Sequence, residues 1–225
     1  IHTHAAESKI EVEQVVARTG MRNIEYLSNL GILSPRSVLA HCVWPDETEL
    51  GLLARSRAKV AHCPSSNLKL GSGIAPIPDL IERGIPVSLG ADGAACNNRL
   101  DMFTEMRTAA IIQKPIHGPQ ALPASVALRM ATIEGARALG LDSEIGSIEP
   151  GKRADLQIVS LNDAHTIPHP DIVSAIVYSA NPADVSTVII DGKLVMRDRN
   201  ILSFNEDEVL TDAVKESERL SSVCS

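Results

Sequence analysis

The sequence predicts an α/β chain: the C-terminal half of a (β/α)8 barrel over residues 1–142, then part of a small β-sandwich and a terminal helix over residues 143–225. Three observations carry that expectation. Four β–α units follow one another, and their strands are apolar on both faces, as in a parallel sheet covered by helices. Ionisable residues stand at the C-terminal ends of those strands, the face on which such barrels carry their chemistry. Near Gly146 the pattern changes to turn-rich sequence with short strands.

The first strand ends near His4, and a helix is expected over residues 10–30, with Ser8 and Glu11 spaced as a capping box. Ser37-Val38-Leu39-Ala40-His41-Cys42 is a short apolar strand ending in histidine, followed by a helix over 46–57. Lys59-Val60-Ala61-His62-Cys63 repeats the pattern, then a long polar loop over 65–73, in which Gly71-Ser72-Gly73 reads as flexible, and a helix over 77–83. The fourth strand, 86–90, runs to Asp92, and helices are expected over 100–113 and 123–139. Beyond Gly146, strands are expected at 154–160, 173–178 and 185–190, with Asp191-Gly192 turning a hairpin into 193–196 and an amphipathic helix over 206–220.

With 225 residues and 44% hydrophobic content the chain can bury a core, which must be aliphatic because aromatics make up only 2%. A net charge of −7 argues against nucleic acid or an anionic membrane as partner. No apolar run reaches transmembrane length. Cys42, Cys63, Cys96 and Cys224 lack paired C-x-x-C spacing and read as reduced thiols of a cytoplasmic protein. The start at Ile1, without an initiator Met, reads as the loss of the first part of a larger enzyme.

His2-Thr3-His4-Ala5-Ala6-Glu7 and Leu89-Gly90-Ala91-Asp92-Gly93 place a histidine and an aspartate at the ends of separate strands, with a carboxylate three residues beyond the histidine. Such a pair can hold a divalent ion that acidifies water, and Glu7 can move the proton. Taken singly, His4 reads equally as a surface histidine, Glu7 as a helix-start acid, His41 as a core histidine and Asp92 as an N-cap. The coincidence of His4, His41, His62 and Asp92 at four strand ends favours a site. His2 is the weaker candidate, and the glycines around Asp92 suggest close approach of a ligand. The run from His62 to Asn67 reads equally as pocket wall or as a turn-stabilised loop. His117, His165 and His169 read as solvent residues.

The run from His62-Cys63-Pro64-Ser65-Ser66-Asn67 to Pro76 resembles the seventh-strand loop of the amidohydrolase superfamily, in its cytosine/guanine deaminase and triazine hydrolase branch. Gly90-Ala91-Asp92-Gly93-Ala94-Ala95-Cys96-Asn97-Asn98, Asp101-Met102-Phe103-Thr104-Glu105-Met106-Arg107, Ala131-Thr132-Ile133-Glu134-Gly135-Ala136-Arg137 and Gly146-Ser147-Ile148-Glu149-Pro150-Gly151-Lys152 are similar to further signatures of that family. The likeness is greatest to deaminases of 5-methylthioadenosine and S-adenosylhomocysteine. It implies hydrolytic deamination of an adenosine-type purine by metal-bound hydroxide, with triazine dechlorination or guanine deamination on the same scaffold as alternatives, and a catalytically silent fragment as another.

The resemblance implies one divalent metal ion, zinc or else iron, on His4 and Asp92. It makes Glu7, His41 and Asp92 catalytic: Glu7 as proton shuttle, His41 facing hydroxide and substrate, Asp92 both ligand and proton acceptor. It places Glu7, His41, Asn67 and Cys96 against the substrate, with Cys96 standing where serine is expected. The family's first-strand His-x-His has no counterpart here. The chain is therefore expected to depend on an N-terminal half of the barrel, to form homo-oligomers, and to show little activity and weak zinc binding alone.

Overall fold

The structure, a computed structural model, describes residues 1–223. The backbone contacts divide it into two units: Ile1–Lys152 with Leu161–Pro182, and Arg153–Ser160 with Ala183 onward.

The first unit is built on four parallel strands in sequence order, β1 (His2–Ala5), β2 (Val38–His41), β3 (Lys59–His62) and β4 (Val87–Leu89). The register aligns Leu39 with Val60 and Val60 with Val87, so one sheet face is a continuous row of aliphatic side chains. All three are at most 3% exposed and belong to the main core cluster with Ile24, Leu53, Ile77 and Leu80 from the covering helices. Each such side chain contributes roughly 1.5–3 kcal/mol by leaving water. The intervening Ala40 and Ala61 are buried too, so both faces are covered and the strands read as unbroken apolar runs rather than as alternating ones.

The region expected as one helix over 10–30 is two, α1 (Lys9–Thr19) and α2 (Asn23–Asn29). Gly20, at φ 74°, ends α1 in the left-handed cap that glycine adopts without steric penalty. Ser8 caps α1, its Oγ accepting from the Glu11 amide at 3.2 Å, but the Glu11 carboxylate returns to the amide of Glu7 rather than to that of Ser8. The second unit of the pattern supplies α3 (Glu47–Ser56), with a reciprocal capping box between Asp46 and Glu49.

The polar stretch expected as loop over 65–73 instead opens with a helix, α4 (Pro64–Lys69), started by a proline whose missing N–H costs nothing in the first turn. It is followed by α5 (Ile77–Glu82). After β4 come α6 (Ala94–Asn97), α7 (Met102–Ile112) and α8 (Lys114–His117). The expected helix over 123–139 breaks at Thr132 into α9 (Ala124–Ala131) and α10 (Ile133–Leu139).

A correction concerns residues 173–178, expected as a strand. They form α11 (Ile172–Tyr178), capped by Asp171, whose carboxylate accepts from the amides of Val173 and Ser174. α11 lies against α7 and α9 and buries Ala175 and Val177. A short apolar run has the same appearance in a buried strand and a buried helix, and here the cap and the helical neighbours decide.

The second unit holds an antiparallel sheet in the order β5 (Leu156–Val159), β6 (Val185–Ile190), β7 (Lys193–Arg197) and β8 (Asn200–Ile201), then α12 (Glu206–Val223). Asp191-Gly192 makes the expected hairpin between β6 and β7. Asp198-Arg199 makes another between β7 and β8. Among the described residues no helix is long and apolar enough to cross a membrane.

Candidate metal centre

His4, His41 and Asp92 converge at the C-terminal ends of β1, β2 and β4, with one donor atom from each lying within 4.8 Å of the others. The imidazoles of His4 and His41 stack with centroids 5.4 Å apart and planes 16° from parallel. Strand alternation alone would not give this arrangement. His4 is in register with Ala40, so the next residue, His41, belongs to the opposite face of the sheet. The backbone reverses that choice. His41 has φ 73°, and the Cys42 amide donates to the Ala40 carbonyl at 3.1 Å, closing a γ-turn of the rare positive-φ kind around His41. Cys42 also donates to Ala5 at 3.0 Å, which keeps β2 tied to β1 through the turn. The strain is located where the side chain must be re-aimed.

Asp92 also has positive φ, 61°. Its Oδ1 accepts from the Gly93 amide at 2.7 Å and its Oδ2 from Ser66 Oγ at 2.5 Å. Burial raises the Asp92 pKa, but the Ser66 hydroxyl, the Gly93 amide and the neighbouring His41 and His4 outweigh it and hold the carboxyl below its usual range. It is therefore an anion ready to face a cation.

Asn67 is buried, and its Oδ1 lies 2.8 Å from His41 Nδ1. With the amide oxygen as acceptor, the His41 proton sits on Nδ1 and the lone pair on Nε2 is free. Nε2 stands 3.7 Å from Glu7 Oε2, while Glu7 Oε1 accepts from Ser72 Oγ at 3.2 Å. Glu7 is half-buried and His41 only 1% exposed.

One segment, from Pro64 to Gly73, thus reaches Asp92 through Ser66, His41 through Asn67 and Glu7 through Ser72. Its first turn is anchored by Glu105, a fully buried carboxylate that accepts from the Ser65 amide at 3.2 Å and from Asn97 Nδ2 at 2.8 Å. Ser66 lay within the run read equally as pocket wall or loop, whereas Ser72 and Glu105 were not singled out in the sequence as site residues. The glycines flanking Ser72, both at positive φ, are the signal that a shaped rather than a flexible segment was present.

The remaining candidates fall elsewhere. His2 is exposed and lies outside the three-donor cluster, and Cys96 sits half-buried on α6, also outside it. His62 is buried to 1% exposure with neither ring nitrogen hydrogen-bonded. Burial, and then the charge of His41, lower its pKa to about 3, so it is a neutral ring. The small residue at Gly90 answers to protein rather than ligand: a Cβ there would lie 3.1 Å from Cys63 Sγ. Cys42, Cys63 and Cys96 are free thiols, and Cys224 lies outside the described residues.

Two imidazoles and a carboxylate are the donor set of hydrolytic zinc sites, and imidazole nitrogen disfavours magnesium or calcium. His41 stands among the donors, whereas the resemblance makes only His4 and Asp92 ligands.

Comparison with known proteins extends this geometry. The amidohydrolase family profile matches residues 1–195. A 5-methylthioadenosine/S-adenosylhomocysteine deaminase of Syntrophomonas wolfei is 47% identical over 222 residues, covering 98% of this chain and 52% of that protein. A 5′-deoxyadenosine deaminase of Methanothermobacter thermautotrophicus is 48% identical over 211 residues, covering 93% of this chain and 49% of that one. The crystal structure of a zinc-bound adenosine deaminase from Xanthomonas campestris superposes with a TM-score of 0.96 at 39% identity, covering 98% of this chain and 51% of the other. The chain spans about half the length of the curated relatives it matches.

Proposed function

The chain belongs to the amidohydrolase family, and on that premise we propose that it is the metal-bearing second half of a barrel enzyme, residues 1–142 supplying the barrel portion, that deaminates adenosines modified at the 5′ position. The observation that carries the reading is the convergence of His4, His41 and Asp92 beside Glu7. The relatives' names supply the substrate class: methylthioadenosine, S-adenosylhomocysteine and deoxyadenosine share an adenine ring and differ at the 5′ carbon. The half-barrel reading is supported by a sheet in which, among the described residues, β1 and β4 pair on one side only, whereas an all-parallel sheet is normally closed or covered.

His4 and Asp92 would hold the ion, with His41 Nε2 beside them. Zinc, when bound, supplies Lewis acidity that makes water a nucleophile near neutral pH. The reaction adds water to C6 of the adenine ring, forming the C6–O bond and breaking the C6–N bond to release ammonia. Glu7 carries a proton from water to the ring nitrogen, which makes C6 the electrophile. Asp92, held as an anion by Ser66 and Gly93, accepts the second proton and passes it towards the departing amine. His41, its Nδ1–H held by Asn67, stabilises the alkoxide that develops at C6 when Nε2 too carries a proton and donates it.

The test is ammonia release by the whole protein from 5′-methylthioadenosine, S-adenosylhomocysteine and 5′-deoxyadenosine, with guanine and a chlorotriazine as comparators. Glu7→Gln should lower turnover by about 10²–10⁴-fold with metal content unchanged. Faster release of ammonia from guanine, or of chloride from the triazine, would replace the proposed substrate class. Loss of metal together with activity in Glu7→Gln would make Glu7 a ligand or a structural residue.

A further inference from the structure

The Glu7 carboxylate has two chemically equivalent oxygens on a torsion that is intrinsically broad. Something must decide which oxygen faces the reacting atoms. Ser72 contacts one of them, donating from Oγ to Oε1 at 3.2 Å, and leaves Oε2 as the oxygen on the His41 side. Ser72 is itself held from three directions. Its amide donates to the Asn67 carbonyl at 2.8 Å. Its carbonyl accepts from Trp44 Nε1 at 2.7 Å. The next residue, Gly73, has φ 125°, and a Cβ there would lie 2.8 Å from the Trp44 ring. Trp44 is fixed in turn by its amide, which donates to Ala6 at 3.0 Å, and by the Lys9 ammonium 4.4 Å above its ring. The chain's only tryptophan thus joins the segment after β2 to the strap after α4 and to the backbone beside Glu7.

We infer that Ser72 is a positioning residue for Glu7, holding Oε1 so that Oε2 alone exchanges the proton, and that Trp44 anchors Ser72 for this task through its indole N–H. The inference rests on the reading of Glu7 as proton shuttle. A hydrogen bond to a charged group that is lost with one partner removed corresponds to about ten- to hundredfold in rate. The loss should fall on kcat, because Ser72 acts on the carboxylate.

The experiment uses the whole protein with 5′-methylthioadenosine, comparing the parent with Ser72→Ala, Ser72→Thr, Trp44→Phe and Ser72→Ala combined with Glu7→Gln. Ser72→Ala should lower kcat by about tenfold or more, with KM changed less than about twofold. Ser72→Thr, which keeps the hydroxyl, should recover most of the rate. Trp44→Phe should move kcat in the same direction as Ser72→Ala. On the residual rate of Glu7→Gln, Ser72→Ala should have no further effect. The Trp44 indole N–H NMR resonance is the one that Trp44→Phe removes. It should keep its position in Ser72→Ala, showing the strap intact while the rate falls.

Parent-like kcat in Ser72→Ala, or an equal loss in the Glu7→Gln background, overturns the inference. If Ser72→Ala does not fold, parent-like kcat in Trp44→Phe overturns it instead. Full turnover in Glu7→Gln removes the shuttle reading itself, a result distinct from a neutral Ser72→Ala in an enzyme that depends on Glu7.

Discussion

The two sheets of this molecule use the same uncommon backbone conformation for different ends. In the antiparallel sheet the non-glycine residues with positive φ are Asp191, Asp198 and Arg199, at 50°, 48° and 65°, and they close two hairpins. Two-residue turns of this kind need left-handed residues at both central positions, because only then does the turn twist match the strands. In the parallel unit, Ala6, His41, Cys42 and Asp92 have positive φ, between 46° and 73°, and they stand at or just beyond strand ends where no hairpin is possible. There the conformation redirects side chains, bringing His41 across to His4. The strand faces differ in the same sense. Leu39 and Val60 are fully buried, whereas the residues of β5 and β7 are half-buried or exposed along their whole length. A parallel sheet buried under helices can hold strained strand ends in place, and the less buried antiparallel sheet uses the same torsion in its hairpin turns.

The largest expected effect tests whether the chemistry is confined to the parallel unit. Asp92→Ala should lower zinc affinity by more than about 100-fold, and Ser66→Ala, which removes only the hydroxyl behind Asp92, by about 10–100-fold. Asp155→Ala and Asp191→Ala in the antiparallel unit should leave it unchanged. Zinc titration with a competing chelator measures all four. A weaker effect at Asp92 than at Asp155 would break the comparison.

A second expectation concerns acid stability. His62 is neutral in the folded state, its pKa depressed from 6.5 to about 3 by burial and the charge of His41. The unfolded chain therefore takes up the proton first as pH falls. The contribution is fully present above 6.5 and is lost between 6.5 and about 3, at up to roughly 1.4 kcal/mol per pH unit. Urea unfolding across that window should show this slope in the parent and a shallower one in His62→Gln. Identical slopes would mean that His62 is protonated in the folded state.

Thiol reactivity sharpens the contrast within the parallel unit. Burial, with the charges of Asp92, Glu105 and Glu7, pushes the Cys63 thiol up to about 12. Burial, with the charge of Glu49, raises Cys42 further still. At pH 8 the thiolate fraction of Cys63 is roughly 10⁻⁴. Iodoacetamide should modify Cys96 in the native protein, and Cys42 and Cys63 only in denaturant, as read by peptide mass. Rapid native modification of Cys63 would show the strand ends to be open.

The smallest effect belongs to the hairpins. Gly192, at φ 73° with nothing within 4 Å of a built Cβ, meets only the left-handed penalty on substitution. Gly192→Ala should cost about 1–2 kcal/mol and leave zinc binding unchanged. A neutral result would mean that the turn relaxes into another type.

The sequence by itself determined the periodicity of four strands, the histidines and aspartate at their ends, the Asp191-Gly192 turn and the family signatures, because each depends on residues adjacent in the chain. It also placed Glu7 three residues beyond His4. Only the tertiary structure decided that residues 173–178 are helix, since the same apolar run satisfies either a sheet or a helical neighbour. The side of the sheet on which His41 stands was also decided there, since alternation points it one way and a single γ-turn the other. The partners were decided there as well. Ser66, Asn67, Ser72 and Glu105 reach Asp92, His41, Glu7 and Asn97 across separations of 26, 26, 65 and 8 residues. The long-range bonds of Ser66, Asn67 and Ser72 leave no local pattern, because their geometry is fixed by how strands stack in the sheet and not by spacing along the chain.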